Sequence, residues 1–166
     1  RGTIGLPRVL NMYENYPLWH TFFTQLGFRV ELSPRSNKQL YEQGMDTIPS
    51  DTVCYPAKLT HGHIQALIDK RVSLIFYPGI IFEQQEFKEA ENQFNCPIVQ
   101  SYPDVIRNNV DEIREGLVDY RNPFLNLGNP TSMAKVLAET FKDLGISKEE
   151  IDEALKNAFI ELKHFK

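Results

Sequence analysis

The stretch "VSLIFYP", residues 72–78, decides the fold. It is a continuous β-rich run with no polar alternation, closed by a proline. A strand buried on both faces reads this way, and such strands belong to parallel sheets covered by helices on each side. Just upstream, residues 53–70 carry a helical pattern, with Leu59, His63, Ala66 and Leu67 offering one face. Before that lie the alternating strand "FRVELS" (28–33), the short polar helix "NKQLYEQG" (37–44) closed by Gly44, and a loop containing Pro49. Earlier still, "PLWHTFFTQLG" (17–27) sets Trp19, Phe22, Phe23 and Leu26 on one helical stripe. Pro17 suits its first turn and Gly27 its exit. "TIGLP" (3–7) reads as the first strand, and downstream "PIVQSYP" (97–103) reads as the next one. Strand and helix alternate. The expected fold is therefore α/β: an open, mostly parallel (Rossmann/flavodoxin-like) sheet of about four strands with helices on both faces.

Beyond residue 104 the character turns helical, in "DVIRNNVDEIREGLVDY", "TSMAKVLAETFKDLG" and "SKEEIDEALKNAFIELKHF". Met133, Val136, Leu137 and Phe141 form one apolar stripe. Ile151, Ala154, Leu155, Ala158, Phe159 and Leu162 form another. Ser147 with Glu150 is a capping box. The expected organisation is an α/β domain over 1–110 and a helical C-terminal layer over 111–166, packed on or extending the same domain.

Composition narrows the function classes. The chain has 166 residues, 42% apolar and 24% charged, with a net charge of −4. Interleaved charges and a negative sum give no broad basic face for nucleic acid. The longest apolar run, "SLIFYPGIIF", is too short to span a bilayer, and no signal-peptide pattern is present. Cys54 and Cys96 do not make a disulfide framework and read as reduced thiols in a cytoplasmic setting. The first residue is Arg1, so the chain is expected to be a piece of a longer protein.

The chemistry concentrates in "SDTVCYPAKLTHGH", residues 50–63. A helix beginning near Val53, capped by Asp51 or Thr52, puts Cys54 in the first turn, where free N–H groups and the positive helix end favour a thiolate. The spacing i, i+4, i+7 sets Cys54, Lys58 and His61 on one face. His61 and His63, two apart, point in different directions and make a poor zinc pair. In open α/β sheets, ligands sit outside the carboxyl ends of the strands. That rim would gather Cys54, Tyr77, Pro78 and Gly79, with Ser101 and Tyr102 after the fourth strand. Cys96, just ahead of a strand, would fall on the opposite rim as a structural residue. A helix-start cysteine is also a common small buried hydrophobe, and that plain reading stands beside the functional one.

Four segments in order, "IGLPRVLNMYENYPLWHTFF", "IPSDTVCYPAKLTHGHI", "IFYPGIIFE" and "NCPIVQSYPDVIRNN", resemble a domain of 2-hydroxyacyl-CoA (2-hydroxyglutaryl-CoA) dehydratase activator-related proteins. The resemblance implies a non-ATPase domain that accompanies the ATPase portion of the same longer chain and meets dehydratase-like subunits. It is distantly similar to the dehydratase subunits themselves, which hold a [4Fe–4S] cluster on cysteines of such rims. Cys54 matches a family cysteine and is the candidate cluster ligand. Where relatives commonly carry cysteine after "FYP", this chain has Gly79. No GxxxxGK[ST] or glycine-rich turn after a strand is present, so no ATP site is expected here. Three readings follow. The first is a degenerate iron–sulfur or acyl-CoA-related binding domain with a rim pocket around Cys54. The second is a non-catalytic interaction module docking ATPase and dehydratase parts. The third is a thiol-dependent enzyme or redox sensor using Cys54. On the first two the isolated piece is not itself an enzyme.

Overall fold

The computed structural model describes residues 1–166. In chain order the elements are β1 (Thr3–Leu6), α1 (Met12–Gln25), β2 (Arg29–Leu32), α2 (Lys38–Gly44), a 3-10 turn at Met45–Thr47, α3 (Tyr55–Asp69), β3 (Leu74–Phe76) and β4 (Gly79–Phe82). Then come α4 (Pro97–Asn109), α5 (Asp111–Arg114), β5 (Tyr120–Arg121), β6 (Phe124–Asn126), α6 (Pro130–Thr140), a 3-10 turn at Lys142–Leu144, and α7 (Lys148–Phe165).

Four strands form one sheet in the order β2-β1-β3-β5, and every pairing is parallel. The expected α/β fold is thus present. A second parallel pair, β4 with β6, prolongs β3 and β5 beyond the sheet. Pro78 and Pro123, which have no N–H to give, stand at the two breaks. The ladder nonetheless continues: Ile75, Tyr77 and Gly79 donate in turn to the carbonyls of Asp119, Arg121 and Pro123 at 2.8, 3.0 and 3.0 Å.

The chain leaves β1 toward β2 on one side and returns to β3 on the other. Right-handed crossovers then place α1 on one face and α3 on the opposite one. α7 joins α1 and α6 on the first face, and α2 and α4 flank α3 on the second. The strand order reverses between β1 and β3, so the crevice at their carboxyl ends is the topological switch point.

One apolar cluster from Ile4 to Leu162 spans both helical layers. Phe76 of β3 lies 4.8 Å from Trp19 and 5.0 Å from Phe23, and Phe23 lies 5.6 Å from Phe141. The predicted stripe Trp19, Phe22, Phe23 and Leu26 is buried throughout, as are Met133, Leu137, Phe141, Ile151, Ala154, Leu155, Ala158 and Leu162. Residues 111–166 supply β5 and β6 as well as α6 and α7, all on this one core.

Three local expectations are corrected. The first helix begins at Met12, so Pro17 lies inside it rather than in its first turn. "PIVQSYP" is the start of α4, not a strand. Pro97 occupies the first turn, where no donor is needed, and Tyr102, Pro103 and Ile106 face inward. A short apolar run between prolines does not separate the two periods. Third, the predicted helix over 104–120 breaks after α4, re-forms briefly as α5, and ends in β5.

Two glycines set the tilt of α3. A Cβ on Gly62 would lie 2.0 Å from the Leu40 carbonyl oxygen, and one on Gly44 would lie 2.2 Å from the Gly62 nitrogen. Backbone therefore meets backbone where α2 crosses α3, and this contact fixes where His61 and His63 point.

Candidate functional site

α3 opens one residue beyond Cys54, which stands as its N-cap with extended backbone and makes no capping bond. The helix thus begins slightly later than the sequence suggests, and the thiol is exposed at the rim rather than inside the first turn. Lys58 is half-buried and turns back to donate to the Asp51 carbonyl at 3.2 Å. No hydrogen bond joins the sulfur to Lys58 or His61, so the expected three-residue face does not close into one cluster.

His61 is buried and spoken for at both ring nitrogens. Nδ1 lies 2.7 Å from Thr47 Oγ1, and Nε2 lies 2.8 Å from the Tyr102 hydroxyl. Thr47 already donates its one proton to the Gly44 carbonyl at 3.1 Å. Its oxygen must therefore accept from His61 Nδ1–H, which leaves Nε2 to accept from the Tyr102 hydroxyl. Burial lowers the His61 pKa from 6.5 to about 4, so the ring is neutral at neutral pH. His61 therefore brings no imidazolium charge to the rim.

Tyr102 is buried, and its phenol is pushed up to about 12, by burial first and by negative charge at Cys54 second. The second cause places Cys54 in the electrostatic neighbourhood of the His61–Tyr102 pair. Tyr77 is buried below the same junction, and burial raises its phenol well above the ordinary value, with the Thr60 hydroxyl beside it tempering the rise. Neither of those two hydroxyls reaches a partner in good geometry. Pro78 and Gly79 are buried. A Cβ on Gly79 would lie 2.7 Å from the Gln100 carbonyl oxygen and 2.8 Å from the Phe124 ring. The place of a side chain at 79 is thus filled by α4. Ser101 is exposed and donates to the Pro97 carbonyl at 2.8 Å.

The structure therefore brings His61, Tyr77 and Tyr102 together at the α3–α4–β3 junction, with Cys54 close by and Gly79 walled off by α4. Lys58 and Ser101 are tied to their own backbones. Cys96 is corrected: it is the N-cap of α4, a helix that follows β4, and it is exposed on the same rim as Cys54. The misreading came from taking residues 97–103 as a strand.

Sequence reasoning missed Glu83 and the partners of His63. Glu83, at the end of β4, accepts from Asn11 at 3.0 Å, from Asn15 at 3.1 and 3.2 Å, and from Asn95 at 2.9 Å. Asn11 and Asn15, four apart at a helix start, were the available signal. His63 is buried between Ser33 Oγ at 2.7 Å and Ser36 Oγ at 2.9 Å, and pins the β2–α2 loop. Burial, then the nearby Arg8 charge, lowers its pKa to about 4.

Two hollows of about 760 and 430 Å³ run along α6 and α7 and contain none of the predicted residues. A smaller one, about 220 Å³, is lined by Arg8, Val9, Leu10, Tyr13, Ser36, Pro56 and Leu59. It lies at the switch point, beside the first turn of α3.

A cubane cluster takes three or four thiolates. No group of three His, Cys, Asp or Glu side chains converges anywhere in the chain, and position 79 has no room for a ligand. The donor set does not fit a [4Fe–4S] cluster held by this chain alone. No helix is long and apolar enough to cross a membrane.

Residues 3–166 match a family model described as "CoA enzyme activase uncharacterised domain". No curated protein and no solved structure matches the chain.

Proposed function

We propose, from the premise that the chain belongs to this CoA enzyme activase domain family, that it is a non-ATPase domain of an acyl-CoA dehydratase activator-like protein. The carboxyl rim of its sheet, centred on Cys54, is the face by which it docks the ATPase portion of the same longer chain or a dehydratase-like subunit. The observation that carries this reading is what the rim leaves free. His61, Tyr102 and Lys58, the groups nearest the rim able to do acid–base work, are already bonded inside the domain. Exposed there are Cys54 with its neighbour Tyr55, and Cys96 close to Phe94. Tyr55 is 52% exposed and Phe94 60% exposed, and aromatic groups of this kind are favoured anchors at interfaces.

A thiol-nucleophile reading is weaker. It needs a base free to take the proton of Cys54, and the nearest imidazole has both nitrogens engaged. Any iron–sulfur cluster at this rim would draw part of its thiolates from the docked partner, with Cys54 the first contribution from this side. Two exposed, unpaired thiols favour a reducing, cytoplasm-like setting.

The test is a binding measurement by calorimetry, with the isolated domain titrated separately with the ATPase portion and with a dehydratase-like subunit. Tyr55→Lys combined with Phe94→Lys is expected to weaken binding at least tenfold. Lys135→Glu on α6, away from the rim, is expected to leave it unchanged. Equal affinities for all three proteins would reject the rim as the docking face.

A further inference from the structure

The half-buried guanidinium of Arg8 stands at the switch point with nothing to bind. It makes no hydrogen bond and no ion pair within the protein; its one contact of note is the Tyr13 ring, 5.6 Å from Cζ to centroid. All seven ion pairs of the chain involve other residues. An arginine offers five N–H donors in a planar fork that matches oxyanions, and stacking on an aromatic ring holds that fork in place.

The walls around it supply further donors. Arg8, Val9 and Leu10 line the cavity of about 220 Å³ together with Tyr13 and Ser36. Ser36 Oγ lies 2.9 Å from His63 Nε2 and 3.5 Å from the Tyr13 hydroxyl, so two hydroxyls meet in the cavity and are backed by a buried imidazole. The backbone N–H groups of Val9, Leu10 and Asn11 find no acceptor in the protein, whereas Arg8 N–H donates to Ser33 Oγ at 2.7 Å. Leu10 has φ 45°, a left-handed conformation that L side chains disfavour. Asn11 follows in the right-handed region, φ −68° and ψ −11°. That succession bends consecutive N–H groups into an anion-binding concavity. Arg35, one residue from Ser36, is likewise free of any carboxylate. The Glu83 carboxylate next to Asn11 is taken up by the side-chain amides of Asn11, Asn15 and Asn95, and neither arginine pairs with it.

We propose that this cavity is a binding site for the oxyanion group of a small molecule, a phosphate ester or a carboxylate. Arg8 holds the charge, Tyr13 and Ser36 donate hydroxyl hydrogen bonds, and the Val9–Leu10 backbone closes the floor. The site is independent of the docking reading, since it needs neither Cys54 nor a partner.

The experiment is a titration of the ¹⁵N-labelled domain with inorganic phosphate, pyrophosphate and acetate in separate arms, read from amide shifts. Saturable shifts at Val9, Leu10 and Asn11 are expected in at least one arm, and the stronger arm identifies the source as phosphate or carboxylate. Arg8→Gln is expected to weaken that binding at least tenfold. Ser36→Ala, which leaves the arginine and its tyrosine contact in place, is expected to weaken it several-fold. Circular dichroism verifies that each variant is folded. Shifts that never saturate in any arm, or affinities unchanged in folded Arg8→Gln, would overturn the proposal. Unchanged affinity in folded Ser36→Ala would overturn the role given to the Ser36 hydroxyl.

Discussion

Lowering the pH from 7.5 to 5 is expected to destabilise this domain, with the two buried histidines as the cause. His61 and His63 titrate near 4 in the folded chain and near 6.5 once unfolded. Between those values the unfolded state binds protons that the folded state refuses. Their contribution is therefore fully present above pH 6.5 and is lost as pH falls toward 4. At pH 5 the linkage amounts to roughly 2 kcal/mol per histidine. Allowing for local relaxation and water at the rim, the pair should cost about 2–4 kcal/mol together. With a urea slope of about 2 kcal/mol/M, the unfolding midpoint falls by roughly 1–2 M. The carboxyls held low do not confuse this window. Asp143 is held by its bond from Arg121, and Glu150 by the Ser147 N–H and then Arg1; both lose their effect only below the ordinary carboxylate range. Urea unfolding at pH 7.5, 6.5, 5.5 and 5.0, with the imidazole proton shifts followed by NMR, measures the effect. A flat or rising midpoint toward pH 5, or buried imidazoles that titrate near 6.5, would refute burial as the force that lowers both histidines.

Other outcomes follow from single contacts. Tyr102→Phe removes the donor to His61 Nε2 and leaves a buried lone pair, at a cost of about 1–3 kcal/mol, seen as a drop of several degrees in Tm by calorimetry. Gly79→Cys forces a Cβ against the Gln100 carbonyl and the Phe124 ring. It should lower urea stability by about 1–3 kcal/mol. A neutral Gly79→Cys would show that α4 yields easily. Gly62→Ala drives a methyl into the Leu40 carbonyl, so proteolysis within α2 and its following turn should accelerate markedly. Cys54→Ser, at an exposed position without a bond, should change stability by less than about 0.5 kcal/mol by the same urea assay.

The sheet and its cover were legible in the sequence because they rest on repeated patterns. The buried run through Leu74–Phe76 and the aromatic stripe of α1 each offered several residues in phase, and both are core. Residues 97–103 offered only a short apolar run between two prolines. Whether such a run becomes strand or helix depends on the docking of Tyr102 and Ile106, which is a tertiary matter. The site was legible in membership more than in arrangement. Position on the rim follows from strand–helix order, which placed Cys54; Tyr102 was named from a run taken as a strand and reaches the junction instead from the inward face of α4. That His61 turns inward to Thr47 and Tyr102 depends on the glycine contact between α2 and α3, which brings distant residues together. Arg8 and Glu83 were missed for the same reason: their partners, or the lack of them, lie in other segments.

Alkylation of Cys54 under anaerobic, reducing conditions tests the rim most directly. Mass spectrometry would follow its rate in the isolated domain and again in complex with the ATPase portion or a dehydratase-like subunit. The account predicts ready modification of the isolated domain and at least tenfold slowing in one of the complexes. Equal rates at Cys54 in complexes shown to have formed would contradict it.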